Sequence, residues 1–170
     1  MNTAAGSGER IGSVSYLFQP HLLDAIPERS PDPAERSKRN TKLVGDISEA
    51  RVIVALTEAG YLVSKPFGEN ARYDLIADDG ERLYRVQVKT GRVRGGVIVF
   101  NCYSSHAHRG GRMRPYFGQI EYLAVYCPQT RKVYLLPEQE LTASVAHLRL
   151  SPTRNNMAKM IRWASKFELA

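Results

Sequence analysis

No apolar run in the 170-residue sequence approaches the roughly 20 residues a membrane span needs. Cysteine is scarce: Cys102 and Cys127 are the only two, too few for a disulfide framework and suited to a reducing compartment. Met1 to Arg10 is polar and rich in Gly, Ala and Ser, without the apolar stretch of a secretory leader, so a cytoplasmic protein is expected. Neither a CxxC nor an HxxxH spacing occurs, so Cys102, His106, His108 and Cys127 do not read as a zinc centre. A glycine-rich phosphate loop, a nucleophile elbow and an internal repeat are also missing. These absences argue against a membrane protein, a disulfide-stapled domain, a zinc finger and a P-loop enzyme.

The most informative absence is local. From Arg82 to Ile120 there is no Asp or Glu, while eight Lys or Arg occur there: Arg82, Arg85, Lys89, Arg92, Arg94, Arg109, Arg112 and Arg114. The other 16 of 24 basic residues stand against 17 acidic ones, so the net charge of +7 belongs to one stretch. A concentrated positive field of this kind faces a polyanion, here nucleic acid. Arg85, Arg92, Arg94, Arg109, Arg112 and Arg114 are the candidate DNA contacts.

With 43% apolar residues the chain can bury one sizeable core. Residues 1–40 read as a tail, because Gly, Ser and four prolines break any period. Residues 41–170 read as the folded domain. Its first element is a helix over about Lys42–Ala59, with Leu43, Ile47, Ala50 and Val54 at helical spacing and Gly60 as its stop. Glu49 lies beside that stripe. Strands are expected at Tyr61–Ser64, Tyr73–Ala77, Leu83–Thr90 and Val97–Asn101, and a hairpin at Glu121–Cys127 and Val133–Leu136. Gly91–Gly96 reads as a basic turn, Tyr103–Pro115 as a polar loop and Pro137-Glu138 as a short helical turn. The last element, about Asn156–Phe167, reads as a helix from the spacing of Met157, Met160, Ile161 and Ala164. Tyr84 and Trp163 read as core.

The chemistry gathers on the third strand. Side chains alternate along a strand, so Gln87 and Lys89 share one face and Val88 takes the other. Asp78-Asp79-Gly80 is a hairpin signal. A two-residue loop at Asp79-Gly80 sets Asp74 opposite Arg85, and one at Gly80-Glu81 sets it opposite Gln87. Both place Asp74 on the Gln87/Lys89 face, whereas a three-residue loop would turn it away. A carboxylate, an amide and an ammonium on one face suit phosphodiester hydrolysis. Mg²⁺ takes oxygen ligands and keeps several waters, and it lowers the pKa of a bound water.

Three segments carry a resemblance: Gly45-Asp46-Ile47-Ser48-Glu49-Ala50, Arg72-Tyr73-Asp74-Leu75-Ile76 and Leu83-Tyr84-Arg85-Val86-Gln87-Val88-Lys89-Thr90. A helix with Glu, a strand with Asp, a hairpin and a strand ending in Gln-x-Lys resemble the PD-(D/E)xK nuclease superfamily. More narrowly they resemble its group I intron-associated homing endonucleases, which carry Gln in place of the second acid. Looser echoes continue in Tyr122–Pro137, in Arg149-Leu150 and in Asn155-Asn156. Arg72-Tyr73 stands where the superfamily's name has Pro. The resemblance implies an α/β, restriction-endonuclease-like fold: a mixed sheet of four or more strands flanked by helices. It implies Asp74 as principal metal ligand, Gln87 as a neutral second ligand and the Val88 carbonyl as a third. Lys89 would position the attacking water, and Glu49 would hold a water or the metal, so Glu49, Asp74, Gln87 and Lys89 form the catalytic set. The implied activity is Mg²⁺-dependent (or Mn²⁺-dependent) cleavage of double-stranded DNA, leaving 5′-phosphate and 3′-hydroxyl ends. A double-strand cut calls for at least a homodimer. The sequence leaves open a structure-selective nuclease such as a Holliday junction resolvase, a host-defence nuclease, or a nucleic-acid-binding module without catalysis.

Overall fold

The computed structural model describes residues 40–68, 70–105, 113–152 and 160–169. The expected tail before residue 40 lies outside them, as do His106, His108, Arg109 and Arg112. Helix α1 spans Thr41–Glu58. The Asn40 side chain caps it by accepting the Leu43 N–H at 3.0 Å. Gly60, at φ 91°, ends it in a left-handed turn that a side chain would strain. There the Tyr61 N–H reaches back to the Leu56 carbonyl at 3.0 Å.

Ten strands follow: β1 Leu62–Ser64, β2 Leu75–Asp78, β3 Leu83–Thr90, β4 Arg92–Arg94, β5 Val97–Asn101, β6 Tyr103–Ser105, β7 Met113–Pro115, β8 Tyr122–Cys127, β9 Lys132–Pro137 and β10 Val145–Arg149. The central sheet has the order β1-β2-β3-β8-β9. β3 and β8 pair in parallel and the other neighbours antiparallel, so the sheet is mixed. Among the described residues α1 is the one α-helix beside it, and no helix is long and apolar enough to cross a membrane.

The sheet is buried on both faces. On one, Val52 and Leu56 of α1 pack with Leu75, Ala77, Val86, Val88, Ala124 and Tyr126. On the other, Leu123, Val125, Cys127 and Leu136 meet Ile98, Phe100, Ala146 and Leu148, which belong to a second sheet of order β10-β5-β4. Double burial explains why β8, Tyr-Leu-Ala-Val-Tyr-Cys, is an almost unbroken apolar run. Gly91 makes the passage between the sheets. A Cβ there would lie 2.6 Å from Ile98 Cγ2 and 2.8 Å from Val125 Cγ1, so only glycine lets the chain turn so close to the core. Cys102 and Cys127 are both buried free thiols.

Several sequence expectations change. The buried face of α1 is Ser48, Val52 and Leu56, not the expected stripe; Leu43, Ile47 and Val54 are 53%, 48% and 50% exposed. The small Ser48 lets the helix approach β3 closely enough for its Oγ to meet Thr90 Oγ1 at 2.6 Å. That contact, with Val52 and Leu56, fixes a face nearly opposite the expected one, about 170° round the helix. The basic segment after Thr90 forms β4 and then turns at Gly95-Gly96, both at positive φ. The arms of the expected polar loop pair as a ribbon, β6 with β7. β10 was not expected. The C-terminal segment is no α-helix where described. Arg149 donates its N–H to the Arg162 carbonyl at 2.7 Å, and Leu169 donates its own to the Val133 carbonyl at 2.9 Å. These strand edges hold the segment extended, and a single 3-10 turn at Ala164–Lys166 is its helical remnant. Tyr84 and Trp163 are half-buried. The 3-10 turn expected after Pro137 is present at Glu138–Glu140.

Candidate active site

The β2–β3 register pairs Leu75 with Val86 and Asp78 with Leu83. The Asp79 N–H donates to the Arg82 carbonyl at 3.2 Å, so the two-residue turn is Gly80-Glu81. This is the second of the two expected registers, the one that brings Asp74 beside Gln87. The Asp79 carboxylate stabilises the turn by accepting the N–H groups of Glu81 at 2.9 Å and Arg82 at 2.8 Å. A turn built from two aspartates and a glycine thus sets the position of a third aspartate four residues upstream.

Asp74 precedes the first regular pair of β2. Its N–H donates to the Val86 carbonyl at 3.0 Å, and its Oδ2 accepts the Val88 N–H at 2.7 Å and the Gln87 side-chain amide. Odd residues of β3 turn their backbone groups to β8, as the Glu121 N–H on the Arg85 carbonyl shows. Even residues turn theirs to β2. Since β2 begins at Leu75, Val88 has no strand partner on that side. The Asp74 carboxylate takes its N–H, and its carbonyl receives only a 3.3 Å contact from the Gln87 amide. That carbonyl is therefore available at the sheet edge.

Thr41, Lys42, Gly45, Asp46, Ser48 and Glu49 of α1 face Asp74, Val88, Lys89 and Thr90 across an open cleft of ≈ 380 Å³. Glu49 is half-buried, in line with Val52 and Leu56, and so points along the helix face that meets the sheet. It forms an ion pair with Lys65, which is 60% exposed. Such a pair contributes only about 0–1 kcal/mol and is readily exchanged. Burial pushes the Asp74 carboxyl above the usual carboxylate range. The Val88 N–H and the Lys89 charge work against that push, and the Glu49 charge adds to it.

Among the sequence candidates, Glu49, Asp74, Val88 and Lys89 line this one cleft. Gln87, 8% exposed, sits behind it. Asp74 Oδ2 is an acceptor, so the Gln87 amide turns its NH₂ toward it; presenting the amide oxygen to a cation means rotating the amide and giving up that bond. Two carboxylates from separate elements and the Val88 carbonyl are oxygen donors of the kind a hard cation such as Mg²⁺ takes, binding through one or two carboxylates and keeping its remaining waters.

Arg85, a candidate DNA contact, is engaged elsewhere. Its side chain grips Glu121 with Nε at 3.2 and 3.1 Å and Nη2 at 2.5 Å, and its N–H donates to the same carboxylate at 2.6 Å. Arg92 and Arg94 line a separate cleft of ≈ 390 Å³ with Thr90, Val99, Phe100, Asn101 and Val145. Arg114 lies on β7 of the ribbon and is exposed.

Two further residues, Arg72 and Tyr116, stand close to the site. Arg72, two residues before Asp74, donates to Gln119, to Ser104 Oγ at 2.6 Å, and to the Arg114 and Pro115 carbonyls at 3.3 Å. Its guanidinium lies 4.8 Å from the centre of the Tyr116 ring, and Lys89 Nζ lies 5.0 Å from the same ring. Arg72 stands just ahead of the Asp74 strand in sequence. Tyr116 has no local pattern to mark it.

Comparison with curated proteins gives no match. Among solved structures, a bacterial homing endonuclease, I-Ssp6803I, superposes with a TM-score of 0.63 at 25% identity, over 76% of this chain and 88% of that one. The fold is thus restriction-endonuclease-like, as the resemblance implied, with one α-helix on the sheet among the described residues. Residues 39–170 match the family model of the PD-(D/E)XK endonucleases. The chain belongs to that family and is homing-endonuclease-like within it.

Proposed function

We propose that the protein is a Mg²⁺-dependent (or Mn²⁺-dependent) endodeoxyribonuclease that hydrolyses phosphodiester bonds of double-stranded DNA. The observation that carries this is the convergence of Asp74, Glu49, the Val88 carbonyl and Lys89 on one open cleft. Asp74, Glu49 and the Val88 carbonyl are the groups to hold the cation. When bound, it neutralises charge on the phosphate and lowers the pKa of a coordinated water. Asp74 is kept oriented by the Val88 N–H and by Gln87, whose amide donates to it without adding charge. Lys89 places a positive charge where the scissile phosphate and the attacking water meet, and stabilises charge that develops there. Attack is direct, without a covalent intermediate, and leaves 5′-phosphate and 3′-hydroxyl ends. With a single carboxylate in the sheet, the site binds its cation more weakly than a two-acid strand pair does. Arg92, Arg94 and Arg114, with Arg109 and Arg112, supply the charge that tracks the phosphate backbone. One such site cuts one strand, so a double-strand cut is made by a homodimer or larger assembly. The homing-endonuclease likeness favours duplex DNA over a branched junction.

The test is incubation of supercoiled plasmid with the purified protein and Mg²⁺ or Mn²⁺, with and without chelator, followed by end-labelling of products. Metal-dependent nicking or linearisation with ligatable 5′-phosphates supports the reading. Binding without cleavage at any metal concentration overturns it in favour of a catalytically silent DNA-binding module.

A further inference from the structure

Lys89 has an unusual setting for a lysine near a sheet edge. Among the described residues it makes no hydrogen bond or close ion pair; the Asp74 carboxylate acts on it only through longer-range charge, and its close contact is the face of Tyr116, 5.0 Å from Nζ to the ring centre. The ring is 3% exposed and packs in the core between the two sheets. An aromatic face attracts a cation through its quadrupole. Unlike a carboxylate, it neither neutralises the charge nor occupies the three N–H donors of the ammonium. The lysine is thus held in place with its donors unspent.

The ring itself is fixed from the Asp74 side of the site. Arg72 lies over it at 4.8 Å and spends its own donors on Gln119, Ser104 and the Arg114 and Pro115 carbonyls, the groups that bracket Tyr116 in sequence and space. Three of these partners, Ser104, Arg114 and Pro115, belong to the β6–β7 ribbon.

We infer that Tyr116 is a positioning residue of the nuclease site: its ring seats the Lys89 ammonium, and Arg72 locks that ring and the base of the ribbon to the segment that carries Asp74. The inference rests on the nuclease reading for its catalytic meaning, though not for its geometry. Lys89 meets the phosphate; Tyr116 acts only through Lys89.

The test replaces Tyr116 by Phe and then by mono-, di- and trifluorophenylalanine, which keep the ring's shape and progressively withdraw its negative face. Two quantities are read: the single-turnover cleavage rate against duplex affinity, and the NMR shift of the Lys89 ε-methylene protons, which needs no cleavage. The Phe variant is expected within about twofold of the parent, with the rate falling stepwise to about tenfold by trifluorophenylalanine and affinity unchanged. In a Lys89→Met background the series is flat. The Lys89 ε-protons lie upfield in the parent and return toward free-lysine values in Tyr116→Leu. A rate indifferent to fluorination while Lys89→Met is impaired overturns the inference, and so do ε-protons at free-lysine values in the parent. If the parent binds DNA without cutting it, the nuclease reading fails, and the ε-proton shift alone decides whether Tyr116 seats Lys89.

Discussion

At its Arg85 end, strand β3 pairs its charge off. Arg85 meets Glu121 through both side chain and backbone, and each partner pushes the other toward its charged form: the guanidinium is raised and the Glu121 carboxyl lowered. Four residues on, the balance reverses. Asp74 is raised by burial, and Lys89 rests on a ring instead of a carboxylate. One strand therefore carries a polar cluster that is internally satisfied and another whose charges are held ready for an outside partner. Perturbation against the charged form, in a cleft, is the arrangement expected of a functional site. Mutual stabilisation at the surface is that of a structural pair.

Substitutions at the two ends should separate along this line. The largest effect is expected from Asp74→Ala, which removes the proposed principal cation ligand: cleavage falls by about 10³-fold or more, in the range that key groups contribute, while the melting temperature at neutral pH holds or rises because a buried charge is gone. Lys89→Ala is expected to lower the single-turnover rate by about 10²–10³-fold, with duplex affinity nearly unchanged. Gln87→Glu sharpens the comparison by adding a second acid to the sheet. The metal concentration for half-maximal cleavage should drop about tenfold, equivalent to about 1.4 kcal/mol, and metal-free stability should fall because two buried carboxylates then repel. Gly91→Ala forces a methyl into the space between Ile98 and Val125; a loss of about 1–3 kcal/mol in chemical denaturation is expected.

The smallest effect belongs to the Arg85 end. Glu121→Gln should cost up to about 1 kcal/mol, as exposed pairs do, and leave cleavage intact. Its pH dependence has a definite sign. A carboxyl lowered in the folded state stabilises above its unfolded pKa, and that contribution is lost as pH falls through the lowered value. Acid unfolding of the parent should therefore be steeper below the ordinary glutamate range than that of Glu121→Gln, as followed by circular dichroism against pH.

The convergence of Asp74, Gln87 and Lys89 was legible because its pieces are local. Asp74, the turn and Gln87-Val88-Lys89 lie within 16 consecutive residues, and turn length alone fixes which face Asp74 takes. What sequence missed was set by distant partners. Arg85 looked free inside an acid-free stretch, yet the parallel crossover brings in Glu121, 36 residues away. The period of Leu43, Ile47, Ala50 and Val54 was real, but close packing at Ser48 chose another face of α1. Ile161 and Ala164 kept a helical spacing that pairing with Arg149 and Val133 overrode. The short strands β4, β6, β7 and β10 carry little pattern of their own and exist through the neighbours they pair with.

The most direct test of the account compares both ends of β3 in one experiment: single-turnover cleavage of a duplex with Mg²⁺, beside thermal melts, for the parent, Asp74→Ala, Lys89→Ala and Glu121→Gln. The two corner variants are expected to stay folded and lose cleavage, while Glu121→Gln cleaves like the parent and melts slightly lower. Equal residual cleavage in Asp74→Ala, Lys89→Ala and the parent would contradict it.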